Sequence, residues 1–445
     1  MTFEEENDLL FNNLLEKYFF AGWRNGDKDK AVEFIIRRKC NLACKYCYYT
    51  NHGKELVPDD DIEKAINNVH EILYYFKSHH IYPRTFSIFG GEAVTADQYE
   101  RLFDILYDYC KDVDGDKLIG FPMNPLFLSN TYYENLLVTQ QKRFEEIQTR
   151  VGFSVSTDGK YCDPISRPTV DNRDDVYTDE YYDRVARFAK DTQTGFHPMI
   201  AAENISHWIE NFDWYVEYLK KIYPDTYLDT LYLLEVRNDN WAIDNLKGLR
   251  KLILHIGEYL YKELGREELL SRLRKDNLLN IYGTGIITVG RGLTCSLQSI
   301  LHIRCSDKKI VSCHRLSYKD LLGGEFVEDK IKALNYPIYL STLQTNYKNM
   351  PLCSVCPINT MCSGPCLGSN YESTGSMYVT APTVCVLLKT LRLALIESFV
   401  ELGIYDDILL QMKAARDTTE SQDFKNHLSL LILQTEAMRR TLNGR

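Results

Sequence analysis

The residues of this 445-residue chain that can do chemistry are its 13 cysteines. Three of them, Cys40, Cys44 and Cys47, stand as C-x3-C-x2-C in RRKCNLACKYCYY. Three thiolates on one tight loop can hold three irons of a 4Fe–4S cluster and leave the fourth open to a small chelating molecule. A zinc site would more often draw four protein ligands from paired C-x2-C elements. A second set, Cys353, Cys356, Cys362 and Cys366, reads C-x2-C-x5-C-x3-C and is followed by Cys385, with Cys295, Cys305 and Cys313 upstream. Taken alone, its C-x2-C pair would suit zinc. Cys110, on a predicted helix, and Cys162, in a predicted loop, read as ordinary thiols, because buried cysteine packs as a small apolar residue.

The bulk composition supports ligation over cross-linking. Formal net charge is −10 with both signs interspersed, so no basic face recommends a nucleic-acid partner. No apolar run reaches the ~18 residues a membrane span needs. The N-terminus opens MTFEEE, acidic where an export signal would be basic. A cytoplasmic location is therefore expected, where thiols stay reduced and a disulfide framework is excluded.

The elements that must position these residues alternate. Short apolar runs predict strands at 32–38, 85–89, 126–129, 151–156, 196–201 and 231–236. Helices fall between them, one opening at 58 with Ile62, Ile66, Val69, Leu73 and Phe76 on one face, others near 95, at 179–190 and at 208–220. Such alternation implies an α/β fold on a parallel sheet, doubly wound or part of a (β/α) barrel. The cysteine triplet follows the first strand, Gly90-Gly91-Glu92 the second, and Ser154, Ser156, Asp158 and Gly159 end the fourth. Strand C-termini are where such sheets place their sites. Glycines there let backbone carbonyls approach an ammonium group, and the hydroxyls can meet ribose or carboxylate oxygens. The expected order is a helical extension at 1–30, a barrel-like domain at 31–240, a helical bridge at 241–289, a cysteine-rich domain at 290–390 and a helical tail at 391–445. The glycine-bearing run at 282–292 lacks the Gly-Lys-Ser/Thr of a phosphate loop and reads as a loop entering the cysteine domain.

On these motifs, residues 31–240 resemble the radical S-adenosylmethionine (SAM) superfamily, whose hallmark is the cysteine triplet with an aromatic before its last member, here Tyr46. The resemblance implies a partial (β/α)6 TIM-like barrel. It implies that Tyr46 flanks the adenine and that Gly90, Gly91 and Glu92 bind the methionyl amino group. Ser154, Ser156 and Asp158 would contact SAM, and Arg167 or Arg173 its carboxylate. The segment FLSN at 127–130 departs from the Thr-Asn-Gly common in the family. The second cysteine set looks like a SPASM domain, which holds two further 4Fe–4S clusters and here precedes C-terminal helices. Carried over, Cys353, Cys356, Cys362 and Cys385 would hold one auxiliary cluster, and Cys295, Cys313 and Cys366 the other. The latter's fourth ligand is either Cys305 or absent, leaving an open iron. His314, after Cys313, stands where sulfatase-maturing relatives have an aspartate base, and is a candidate acid or base or else a polar neighbour of the cluster. Tyr48 and Tyr49 lie beside the triplet.

What the resemblance implies for function is reductive SAM cleavage, hydrogen abstraction by a 5′-deoxyadenosyl radical, and oxidative cross-linking of a ribosomally made peptide through a carbon–carbon, carbon–oxygen or thioether bond. SAM, three 4Fe–4S clusters, a precursor peptide and a reductant such as flavodoxin or ferredoxin are the implied cofactors and partners. The 39 residues before Cys40 are too few for a leader-binding winged helix, so a separate leader-binding protein is one expectation. The alternatives are a formylglycine-generating sulfatase maturase, a small-molecule dehydrogenase and, outside enzymes, a zinc-bound scaffold.

Overall fold

The computed structural model describes residues 1–49, 61–91, 95–173, 175–230, 235–236, 241–275, 297–347, 350–362 and 364–443. In chain order the main elements begin with α1 (Phe3–Leu15), β1 (Ala31–Arg37), α2 (Ile62–Ser78), β2 (Thr85–Gly90) and α3 (Ala96–Cys110). They continue with β3 (Lys117–Met123), α4 (Thr131–Glu145), β4 (Thr149–Val155), α5 (Asp179–Thr192), β5 (Gly195–Phe196), β6 (Met199–Ile200) and α6 (Trp208–Ile222). After β7 (Glu235–Val236) and α7 (Ile243–Lys275) come β8 (Ile300–Arg304), β9 (Lys309–Val311), β10 (Leu322–Val327), β11 (Lys330–Ala333) and α8 (Tyr336–Gln344). The chain ends with α9 (Leu367–Thr374), α10 (Pro382–Glu401), α11 (Tyr405–Thr418) and α12 (Gln422–Asn443). It packs as two units, the first Met1–Thr157, Arg167–Gly195 and Cys295–Thr345, the second Asp158–Ser166, Phe196–Thr294 and Asn346–Arg445.

The first unit is built on one sheet, in the order β11-β10-β9-β8-β1-β2-β3-β4-β5. β1 through β4 pair in parallel, as the alternation of strands and helices requires. Local chemistry starts the helices between them. Asp61 caps α2 by accepting from the Lys64 N–H at 2.9 Å, and Thr95 with Gln98 forms a capping box before α3. The expected stripe Ile62, Ile66, Val69, Leu73 and Phe76 is the buried face of α2.

Two strand expectations are corrected. Residues 126–129 lie in a 3-10 turn, Pro125–Ser129, and the third strand is β3, which ends six residues earlier, at Met123. Pro125 presets a helical φ at the first position of that turn, and the Asn124 side chain accepts from the Leu126 N–H at 3.1 Å. The 196–201 run is broken into β5 and β6 around Pro198, which has no N–H to give a ladder. Of 231–236, only β7 is described; 231–234 and the 282–292 loop lie outside the described residues.

The cysteine region does not begin a separate body. β8 runs parallel to β1, from Ala31↔Ile300 to Ile35↔Arg304, and β9, β10 and β11 extend the sheet as antiparallel neighbours. In the second unit the expected bridge and tail pack on one another: α7 lies along α10, and Arg250 pairs with Glu397, its Nε donating at 2.6 Å. α10 runs through residue 390, where a boundary was expected.

Candidate active site

The cysteine triplet leaves the C-terminal end of β1. Cys40, Cys44 and Cys47 are partly exposed, and the Cys47 N–H donates to the Cys44 carbonyl at 3.0 Å, closing a tight turn. The turn is pinned from one side by residues 168–170, where Ala43 N donates to Pro168 O at 2.7 Å and Val170 N to Asn41 O at 3.0 Å. From the other side comes the glycine pair. A Cβ on Gly90 would stand 2.1 Å from Arg37 O, and one on Gly91 2.0 Å from Lys39 O. Gly90 also has φ +148°, which L side chains rarely adopt. The glycines are thus needed for backbone-to-backbone contact between the end of β2 and the cysteine loop. Glu92 lies outside the described residues.

Tyr46 is buried, and its hydroxyl accepts from Arg167 Nη1 at 2.8 Å. Arg173 is exposed and pairs with Asp171 at 2.7 Å. Of the two arginines, Arg167 is therefore the one beside the triplet. Ser154 is the penultimate residue of β4, and the Ser156 N–H donates to Met123 O at 2.8 Å. Asp158 belongs to the second unit and is fully buried: one carboxylate oxygen accepts from Met199 N at 2.9 Å, the other from the Ser166 hydroxyl at 2.6 Å. Both of its oxygens anchor neighbouring backbone and turn.

His314 reaches the same end of the sheet. Its ring stacks on Phe89, centroids 4.2 Å apart at 15°, and on Tyr48 at 5.5 Å and 20°, so it lies between the residue before the glycine pair and the residue after Cys47. Tyr48 in turn meets Tyr49 edge-on at 4.6 Å. Sequence reasoning missed what orients His314. Glu33, buried in β1, accepts through one oxygen from Nδ1 of both His314 and His302, each at 2.8 Å. A carboxylate only accepts, so both rings carry hydrogen on Nδ1 and present Nε2 elsewhere. Burial would raise the Glu33 carboxyl, but His314 and His302 outweigh it and hold it well below the usual carboxylate range. The available signal was a lone glutamate inside the apolar run VEFII.

The second unit gathers four of the later cysteines. Cys353 sits in the turn Pro351–Ser354, and the Cys356 N–H donates back to its carbonyl at 3.1 Å. Cys362 Sγ accepts from the Gly364 N–H at 3.3 Å, and Cys385 lies in the first turn of α10. Burial pushes the Cys362 and Cys385 thiols up, and in both the Cys353 and Cys356 thiols push further. Cys353 and Cys356 thus lie within electrostatic reach of both Cys362 and Cys385. Four convergent thiols with a backbone N–H on one sulfur fit a cluster's donor set.

The remaining cysteines are distributed. Cys366 directly precedes α9 in the second unit, and Cys313 Sγ in the first accepts from Arg315 N at 3.4 Å. Cys305, fully buried after β8, points its thiol at Ile303 O, 3.6 Å away. Cys295 lies outside the described residues. Burial pushes the Cys110 thiol up to about 12 and, with Asp158 and Asp163 adding, the Cys162 thiol higher still. Both stay protonated thiols.

No family model matches the chain. A radical SAM cyclopropyl synthase, TigE of Paramaledivibacter caminithermalis (strain DSM 15212 / CIP 107654 / DViRD3), is 21% identical across 91% of this chain and 82% of its own. Native anSMEcpe with bound AdoMet superposes with a TM-score of 0.54 at 14% identity, covering 85% of this chain and 99% of that one. The form with AdoMet and the Kp18Cys peptide gives 0.55 at 15% identity over the same shares. The triplet at the end of β1, the glycine turn against it and the shared fold make this chain similar to radical SAM enzymes.

Proposed function

We propose that this enzyme matures a ribosomally made peptide, abstracting hydrogen from a C–H bond and leaving an oxidative cross-link. The observation that carries the reading is the pairing of a SAM-type cysteine loop with four further convergent thiols, a combination suited to a substrate radical that must lose an electron. Cys40, Cys44 and Cys47 would hold the cluster, which together with SAM would supply the one-electron chemistry for hydrogen abstraction. Tyr46, Gly90, Gly91, Ser154 and Ser156 would line the cofactor's place, and Arg167 would meet its carboxylate; Glu92 is proposed as a ligand of its amino group. His314, fixed by Glu33 and by the rings of Phe89 and Tyr48, exposes Nε2 as the acceptor of the substrate proton.

Cys353, Cys356, Cys362 and Cys385 hold one auxiliary cluster; Cys295, Cys313 and Cys366 hold a second, completed by Cys305 or left with an open iron. A structural neighbour carries a bound peptide, which supports a peptide substrate. No described helix is long and apolar enough to cross a membrane, and the proposed place of action is the cytoplasm, with a flavodoxin or ferredoxin as reductant and a separate protein reading any leader.

The experiment is anaerobic co-expression with each small peptide encoded beside the protein. Loss of two hydrogens from one peptide, absent with Cys44→Ala, is the expected mass change. Unchanged masses with intact clusters and active SAM cleavage would move the substrate to a protein side chain or a small molecule.

A further inference from the structure

His302 faces Glu33 across the sheet: β1 and β8 run in parallel with these two residues in register, and His302 is only 4% exposed. Strand pairing holds it from both sides, since His302 is also opposite Val311 of β9. Three residues beyond Val311 comes His314, in the 3-10 turn His314–Leu316, with 27% of its side chain exposed. The two histidines meet on one atom. Nδ1 of each donates to the same Glu33 oxygen at 2.8 Å, with ring centroids 5.8 Å apart and planes at 81°.

The three side chains differ in freedom. The terminal torsion of a glutamate is broad and roughly two-fold, so a carboxylate held by one bond can swing or exchange its oxygens. A second N–H on the same oxygen, from a side chain fixed between two strands, removes that freedom. His314 has a related ambiguity. Its stacks on Phe89 and Tyr48 fix the plane of the ring, but a ring turned over about its Cβ–Cγ bond keeps that plane. Only the bond to Glu33 selects which edge faces β1. Dependence therefore runs from the strand residue His302 to Glu33, and from Glu33 to the turn residue His314.

Resting on the reading that His314 accepts the substrate proton, we propose that His302 is a positioning residue for peptide modification. By fixing the Glu33 carboxylate it sets which edge of the His314 ring faces β1, and so where Nε2 points. It acts through Glu33 alone.

The test uses the full chain carrying its clusters. His302→Leu fills a similar volume without a donor, His302→Asn keeps an N–H near the Nδ1 position, and His302→Gln moves it towards the Nε2 position. His302→Leu is expected to slow peptide modification about tenfold or more while iron content and 5′-deoxyadenosine release hold, and His302→Asn to recover most of the rate. Adding His302→Leu to His314→Ala should cost nothing further, because both act on one group. A wild-type rate in His302→Leu, or losses that multiply in the double variant, overturns the inference. If His302→Leu loses iron, the amides decide: a rate kept by His302→Asn alone sustains the inference, and equal rates in His302→Asn and His302→Gln overturn it. Crystal structures need no substrate. In His302→Leu or His302→Gln the His314 ring is expected to leave Glu33, and a bond still at 2.8 Å overturns the inference. A wild-type rate in His314→Ala would instead sink the reading of His314 as proton acceptor, and this inference with it, whatever the crystal structures show.

Discussion

The Tyr46 hydroxyl and the Arg167 guanidinium are joined by a 2.8 Å hydrogen bond, both side chains buried, which ties the residue before the last triplet cysteine to the segment that pins the triplet. Removing Arg167 leaves a buried phenol without its charged donor, at about 1.5–3 kcal/mol. Arg167→Ala is expected to weaken SAM binding by about tenfold or more while the iron content holds. Arg173→Ala, exposed beside Asp171, is expected to bind as wild type. Equilibrium binding of SAM to the reconstituted proteins separates the two.

The glycine turn makes a steric prediction. Gly91→Ala would drive a methyl group to 2.0 Å from Lys39 O, and backbone must move to relieve it. Loss of the first cluster and of 5′-deoxyadenosine release is expected, with strain of about 1–3 kcal/mol at Gly90→Ala from its φ alone. Gly152→Ala, in β4 with nothing within 4 Å of the added carbon, is the control and should keep both. Iron counting and product chromatography read the outcome.

His314→Ala should leave SAM cleavage standing and lower the yield of modified peptide, because the ring sits beside the triplet without belonging to it. Glu33→Gln should lower the same yield, since the amide offers a neutral acceptor in place of the carboxylate that both imidazoles share. Equal losses of 5′-deoxyadenosine and of modified peptide would assign His314 to SAM cleavage instead.

Cys110 makes a prediction about pH. Its folded-state value is pushed up to about 12 by burial, against about 8.5 in an unfolded chain. The stability this protonated thiol allows is complete below about pH 8.5 and is lost as pH rises toward 12, because the unfolded chain releases the proton first. Relative to Cys110→Val, the wild type should therefore weaken between pH 8.5 and 10, by up to about 1.4 kcal/mol per pH unit. Denaturant midpoints across that range measure it, and parallel curves would show the thiol is not the burden.

Much of the site is legible in the sequence because its parts are local. A cysteine triplet, a glycine pair and a C-x2-C-x5-C-x3-C run are each fixed within a few residues of chain, and their neighbours in space follow from strand order. Glu33 is not legible in this way. Its partners are 269 and 281 residues distant, and only the parallel register of β1 with β8 sets Glu33 opposite His302. The third strand was misplaced because Pro122 and Pro125 look alike to a pattern. One sits within β3 paired with Ser154, and the other starts a helical turn. Choosing Arg167 over Arg173 likewise took the fold, since both follow β4 by similar distances in sequence.

β1 has hydrogen-bonded neighbours on both sides, β2 on one and β8 on the other. A fragment ending before residue 297 would strip one flank of the strand that launches the cysteine triplet, baring a row of unpaired amide and carbonyl groups with Val32, Phe34, Ile35 and Ile36 among them. Such an edge recruits other chains. Shortened versions made to study the first cluster alone should therefore clump, whereas cuts beyond α12 would not touch the sheet.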